Sequence, residues 1–218
     1  MASTPPKAKI CGLSTPESVT TALDGGAAFI GFVFFDKSPR HVSAETAARL
    51  AAPARGRAKT VAVTVNPSDA LIDEIAQTLK PDFIQLHGGE SPARVNEVRT
   101  RTGLGVIKAV SVAERSDLDL ARGFDGAADH LLLDAKAPPD AALPGGNGEA
   151  FDWRLLAGIT FSRPWFLAGG LNPWNVEAAL RQTGAPFTDV SSGVERGPGV
   201  KDPALILAFL EAVRRAGA

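Results

Sequence analysis

Much that would mark this chain as secreted, metal-binding or membrane-embedded is scarce or missing. It has one cysteine, which excludes an internal disulfide or a multi-thiolate zinc site and suits a reducing, cytoplasmic setting. Its three histidines are scattered and make a poor ligand set for a metal. The formal net charge is −1, so neither nucleic acid nor an anionic membrane is expected as a partner. No apolar run approaches the ~18–20 residues of a membrane span. The opening "MASTPPKAK" lacks the apolar core of a signal peptide. A soluble cytoplasmic protein is the expectation. Tyrosine is absent as well, with no functional consequence that the sequence reveals.

What is present is alternation. Apolar residues make up 44% and charged residues 22%, the balance of an ordinary globular domain. Short β-rich runs ("AFIGFVFF", "KTVAVTV", "DFIQLH", "GVIKAV", "HLLLDA", "PWFLAGG", "FTDVSS") alternate with stretches of helical apolar spacing. Thr15 and Pro16 open the first helix and Gly25–Gly26 stop it. "SAETAARLAAP", "SDALIDEIAQTLKP" and "SPARVNEVRTRTG" each open on serine and close near proline or glycine. A less clear helix follows strand five, roughly 115–123, and "FDWRLLAG" is read as another. Eight strand–helix units with no linker point to parallel strands covered by helices. The closed solution is one (β/α)8 TIM barrel domain over residues 1–218, with 1–7 as a flexible N-terminal extension. An open doubly wound sheet is the alternative, but no GxGxxG follows the first strand to support it.

In such a barrel the ligand site lies at the C-terminal ends of the strands. Those ends carry Cys11, Arg40, Asn66, His87, Lys108, Asp134, Gly169–Gly170 and Ser191–Ser192–Gly193. Strand alternation puts Lys9 with Cys11, Gln85 with His87, and Leu132 with Asp134 on shared faces. Glycines after strand seven and hydroxyls with a glycine after strand eight suit a phosphate group, because bare backbone N–H groups can approach it closely. Barrels often bind phosphate at this location. Cys11 has a bland reading as a small buried hydrophobe, and Asp134 one as a partner of Lys136. Arg40 would then be a solvated loop charge. Strand-end placement favours chemistry for the first two, and a planar guanidinium suits a carboxylate. His87 reads as structural support, and Lys108 as a site-lining or carboxylate-holding group. Trp153, Trp165 and Trp174 read as helix–barrel packing.

Taken together and in order, "KICG", "GFVFFDKSPRHVS", "DFIQLHGGE", "LLLDA", "PGGNGEAFDW", "LAGGLNPWNV" and "DVSSGVERGPGVKD" resemble the phosphoribosylanthranilate isomerase family of tryptophan biosynthesis. The resemblance runs from about Lys9 to the final helix. It implies a (β/α)8 fold, no metal or organic cofactor, and a small phosphosugar substrate. The implied reaction is the Amadori rearrangement of N-(5-phosphoribosyl)anthranilate to 1-(2-carboxyphenylamino)-1-deoxyribulose 5-phosphate. Position by position, it makes Cys11 the general base and Asp134 the general acid. Arg40 would hold the anthranilate end, and Gly169, Gly170, Ser191, Ser192 and Gly193 the phosphate. The family usually has "GGTG" where this chain reads "GGNG" at 145–148, which bears on loop closure alone. The related isomerase of histidine biosynthesis usually shows paired aspartates at strand ends one and five, whereas strand one here ends in cysteine. A non-catalytic phosphosugar-binding barrel would keep the glycine and serine turns and have no need of both Cys11 and Asp134.

Acid and base must work with the proton on the opposite group from the one that free side chains prefer. The expectation is a coupled pair sharing one proton, with Lys9 favouring the thiolate and burial favouring the carboxylic acid. The long proline- and glycine-rich segment 135–150 is read as a lid, and, with no apolar helix face evident for a dimer, a monomer is expected.

Overall fold

Near-continuous apolar strands bury both faces only when something covers each, and closure supplies one cover while helices supply the other. A computed structural model describes residues 5–136 and 152–217. Its strands β1 (Lys7–Cys11), β2 (Phe29–Phe34), β3 (Lys59–Thr64), β4 (Phe83–Leu86), β5 (Gly105–Val112), β6 (His130–Ala135), β7 (Trp165–Leu167) and β8 (Phe187–Val190) form a closed parallel barrel in chain order. Helices α1 (Pro16–Asp24), α2 (Ala44–Ala51), α3 (Asp69–Thr78), α4 (Pro92–Thr102), α5 (Asp117–Arg122), α6 (Val176–Thr183) and α7 (Pro203–Ala216) surround it. A two-stranded hairpin, β9 (Glu195–Gly197) and β10 (Val200–Lys201), sits between β8 and α7. The expected (β/α)8 barrel is the observed architecture.

The local signals act as read. Thr15 accepts from the Ser18 N–H at 3.2 Å and Ser18 answers in a reciprocal cap, while Ser43, Ser68 and Ser91 cap α2, α3 and α4 one-way, accepting from the Thr46, Leu71 and Arg94 N–H groups. Each cap satisfies one helix N–H that would otherwise have no partner. Strand side chains then divide between two apolar cores. Outward residues such as Ile10, Ile30, Phe32, Ile84 and Leu133 pack against helix residues including Val19, Ile72, Ile75 and Phe209. Inward residues, among them Phe29, Val61, Ile107, Leu132 and Phe166, fill the barrel itself. Burying each such side chain stabilises by about 1.5–3 kcal/mol relative to exposure.

Three expectations need adjustment, and one element is present that the sequence did not announce. "FDWRLLAG" forms only a single 3-10 turn, Trp153–Leu156, because Ala157 turns extended and Gly158 adopts φ +70. The segment after β8 is no plain turn, since its Gly-Pro-Gly lets the chain fold back as β9–β10. Trp165 is buried and Trp153 half-buried, but Trp174 is 79% exposed and is not packing between helix and barrel. Lys7 already belongs to β1 and pairs with Phe187, while the rest of the expected extension lies largely outside the described residues. The segment read as a lid, 135–150, and Asn147 with it, also lies almost wholly outside them.

Candidate active site

The parallel register carries β1 and β6 so that Cys11 and Asp134 end their strands at the same mouth of the barrel. Both are 6% exposed. Going one way round, only β7 and β8 separate them, and these are the strands whose turns carry the glycines and serines. Gly169 and Gly170 have φ of +84 and +63, a region that side chains with a Cβ rarely adopt. A Cβ on Gly169 would sit 2.5 Å from the Ala135 nitrogen. One on Gly193 would sit 1.9 Å from the Leu171 carbonyl oxygen. The two turns therefore touch backbone to backbone. Asn175 fastens the first by donating from Nδ2 to the Gly170 carbonyl at 2.9 Å. Ser192 and Gly193 begin a 3-10 turn, whose first N–H groups have no partner within the turn, the arrangement that an anion such as phosphate needs.

Around Cys11 the barrel is charged as well as apolar. Lys9, fully buried one step down the same face, donates from Nζ to Asp189 Oδ1 at 2.9 Å across the β1–β8 register. Gly31, opposite Cys11 on β2, leaves the space both side chains use: a Cβ there would lie 3.2 Å from Lys9 Nζ and 3.3 Å from Cys11 Sγ. Burial pulls the Lys9 pKa down, but Asp189 and Cys11 outweigh it and the net shift is upward. For Cys11, burial pushes the thiol up and outweighs the downward pull of Lys9 and Lys201. The expected stabilising effect of Lys9 on a thiolate exists, but in the free protein desolvation wins and the thiol stays protonated.

Asp134 Oδ1 accepts from the Ala135 N–H at 2.9 Å. His87 Nε2 lies 3.2 Å from Asp134 Oδ2, off the line of a hydrogen bond. Gln85 Nε2 sits 3.0 Å from His87 Nδ1. With the amide in that orientation Gln85 donates to Nδ1, which assigns the proton of a neutral ring to Nε2, near the carboxylate but not hydrogen-bonded to it. His87, read from sequence as structural support, thus touches the proposed acid. Lys108 resolves differently. Its Nζ donates to the Leu86 and Gly88 carbonyls and to Glu90 Oε2 at 2.8 Å, which makes it the anchor of the β4–α4 turn.

Arg40 reaches the mouth over Gly12, whose absent Cβ would meet Arg40 Cδ at 2.6 Å. That close approach, with Gly12 at φ +76, is why a glycine follows the cysteine. Nε and Nη2 of Arg40 donate to the two carboxylate oxygens of Glu195 at 2.7 and 2.9 Å. Glu195 also accepts from Lys201 Nζ at 2.6 Å, and Lys201 donates to the Ser191 carbonyl at 2.9 Å. Burial would raise the Glu195 pKa, but Arg40 and Lys201 hold it below its ordinary value. Burial in turn lowers the Lys201 pKa. Sequence reasoning missed Asp189, Glu195 and Lys201. The "GPG" turn was the available sign that the last two fold back into the site.

Residues 8–212 match the family model described as N-(5'phosphoribosyl)anthranilate (PRA) isomerase. A Caulobacter vibrioides N-(5'-phosphoribosyl)anthranilate isomerase is 64% identical over 210 residues, covering 96% of each chain. Its Mesorhizobium japonicum counterpart is 54% identical over 208 residues, 95% of each chain. The Thermotoga maritima phosphoribosylanthranilate isomerase structure superposes with a TM-score of 0.87 at 35% identity, covering 96% of this chain and 99% of that one. A further isomerase structure, in complex with reduced 1-(o-carboxyphenylamino)-1-deoxyribulose 5-phosphate, gives 0.84 at 32% identity with the same coverage.

Proposed function

The chain belongs to the phosphoribosylanthranilate isomerase family of tryptophan biosynthesis, and we propose that Cys11 and Asp134 are the base and acid with which it isomerises N-(5-phosphoribosyl)anthranilate. What supports this reading is the placement of a buried thiol and a buried carboxyl at one barrel mouth, on either side of the glycine and serine turns of β7 and β8. On substrate binding the shared proton passes from the thiol to Asp134, which protonates the furanose ring oxygen, and the ring opens to a protonated imine whose nitrogen is that of the anthranilate and which is conjugated with the aromatic ring. That cation acidifies the C2′ hydrogen and favours a thiolate beside it. Cys11 removes the hydrogen, and the resulting enolamine tautomerises to the aminoketone. The shared proton is then back on the thiol. Acid and base placed on opposite sides of the sugar suffice for the chemistry.

The phosphate lies against Gly169, Gly170, Ser191, Ser192 and Gly193, where backbone N–H groups and hydroxyls can surround it. Arg40 meets the anthranilate carboxylate through the Nη1 edge that Glu195 leaves without a partner among the described residues. Among the described residues no helix is long and apolar enough to cross a membrane, and a single thiol fits a cytoplasmic place of work. The protein acts as a monomer, and light scattering after gel filtration tests that directly.

The fluorescence decay of freshly made phosphoribosylanthranilate measures the reaction. Asp134→Asn should keep the affinity for a reduced product analogue while turnover falls by at least ~10². Loss of affinity in step with turnover would return Asp134 to a structural role.

A further inference from the structure

The cluster formed by Arg40, Glu195 and Lys201 does more than hold a hairpin. Glu195 accepts two parallel bonds from the guanidinium, a third from Lys201 and a fourth from the Gly199 N–H at 3.1 Å. Its side chain is 4% exposed, and those of Arg40 and Lys201 are 7% and 2% exposed. Two cations and one anion leave a net charge of +1 in a poorly hydrated place beside Cys11, since Arg40 lies directly over Gly12. A guanidinium gripped along its Nε–Nη2 edge has one orientation left, and among the described residues the two N–H groups of Nη1 and the second of Nη2 remain to donate. Arginine held this way binds a correctly placed carboxylate more tightly than a freely rotating one, because fewer rotamers are lost on binding.

We propose that Glu195, braced by Lys201 through the β9–β10 hairpin, is a positioning residue that aims Arg40 at the carboxylate of the substrate's aromatic amine and so sets the enzyme's preference for a carboxylated amine. The proposal rests on the reading that Arg40 meets that carboxylate, and the two can fail separately. It also opposes simple charge counting. Replacing Glu195 by a neutral group raises the cluster's net charge and would by Coulomb attraction tighten a carboxylate, whereas loss of aim loosens it.

The test uses two product analogues, reduced 1-(o-carboxyphenylamino)-1-deoxyribulose 5-phosphate and its counterpart without the ring carboxylate. Glu195→Gln should weaken the carboxylated analogue and raise KM by about tenfold or more. Affinity for the other analogue should stay within about threefold, and kcat likewise. Glu195→Asp should recover part of the loss, and Glu195→Gln added to Arg40→Met should cost nothing further. If Glu195→Gln does not fold, Glu195→Asp serves, with a selective loss for the carboxylated analogue supporting the role and equal weakening of both analogues overturning it. Equal weakening of both analogues, or tighter binding of the carboxylated one, overturns the role of Glu195. If Arg40→Met itself fails to discriminate between the analogues, the reading of Arg40 falls and the proposal with it.

Discussion

The two ends of the barrel interior carry the same kinds of residue and do opposite things with them. At the C-terminal mouth His87 lies between Gln85 and Asp134. At the N-terminal end His130, on the same strand face as Asp134, is enclosed by Phe29, Phe83, Phe166 and Phe187 with ring centroids 5.2–6.4 Å away. Burial lowers the His130 pKa. Lysine–aspartate pairs divide in the same way. Lys9–Asp189 is sealed beneath the mouth, with side chains 0% and 9% exposed, whereas Lys59–Asp82 at the opposite end is 61% and 33% exposed. The latter lines an open cleft of about 760 Å³, where water already solvates the charges. Residue type alone therefore does not mark the active end. What marks it is polar groups buried together, next to backbone that glycine has stripped of side chains.

The contrast is tested most strongly by removing one polar group from each end. Asp134→Asn should cost ~10²–10⁴ in turnover, while His130→Phe should leave turnover within about twofold in the same fluorescence assay. Next in size is the pair of lysines. Lys9→Met leaves Asp189 buried without its partner and should destabilise by about 3–5 kcal/mol in urea unfolding. Lys59→Met should cost at most about 1 kcal/mol, and equal losses would erase the distinction between the two pairs. The smallest effect concerns pH. Because burial depresses the His130 pKa below its ordinary 6.5, the unfolded chain takes up the proton first as pH falls. The contribution of this residue is complete above pH 6.5 and is lost as pH drops through the folded pKa. His130→Phe should flatten that part of the stability profile, and an unaltered slope would show that another group titrates there.

Most of the fold was readable because its signals are local. Serine caps, glycine stops and strand runs each act within a few residues, and closing order follows from parallel neighbours. The 3-10 turn at Trp153–Leu156 escaped because four helix-compatible residues do not reveal the extended Ala157 that ends them. Within the candidate site, the placing of Cys11, Asp134 and the glycine and serine turns at one mouth was legible from their positions at strand ends. Asp189, Glu195 and Lys201 were not, since their importance arises from partners 180, 155 and 6 residues away. The net direction of the Cys11 pKa could not be read for a related reason. Lys9 could be seen on the shared face, but how far burial outweighs it depends on the closed barrel.

In the proposed mechanism Cys11 and Asp134 share one working proton. With the thiol pKa raised above its ordinary 9.0, the doubly deprotonated, inactive pair should form only in alkali. The pH profile of kcat/KM should then be level through neutrality and fall above pH 9 in the wild type. Asp189, Lys9 and Lys201 are the charges that face the thiol, and Lys201, with its lowered pKa, is the other group able to titrate in this range. In Cys11→Ser, residual activity should persist into alkali without that fall. A Cys11→Ser profile with the same alkaline fall would assign it to Lys201 or another group and remove the thiol as the base.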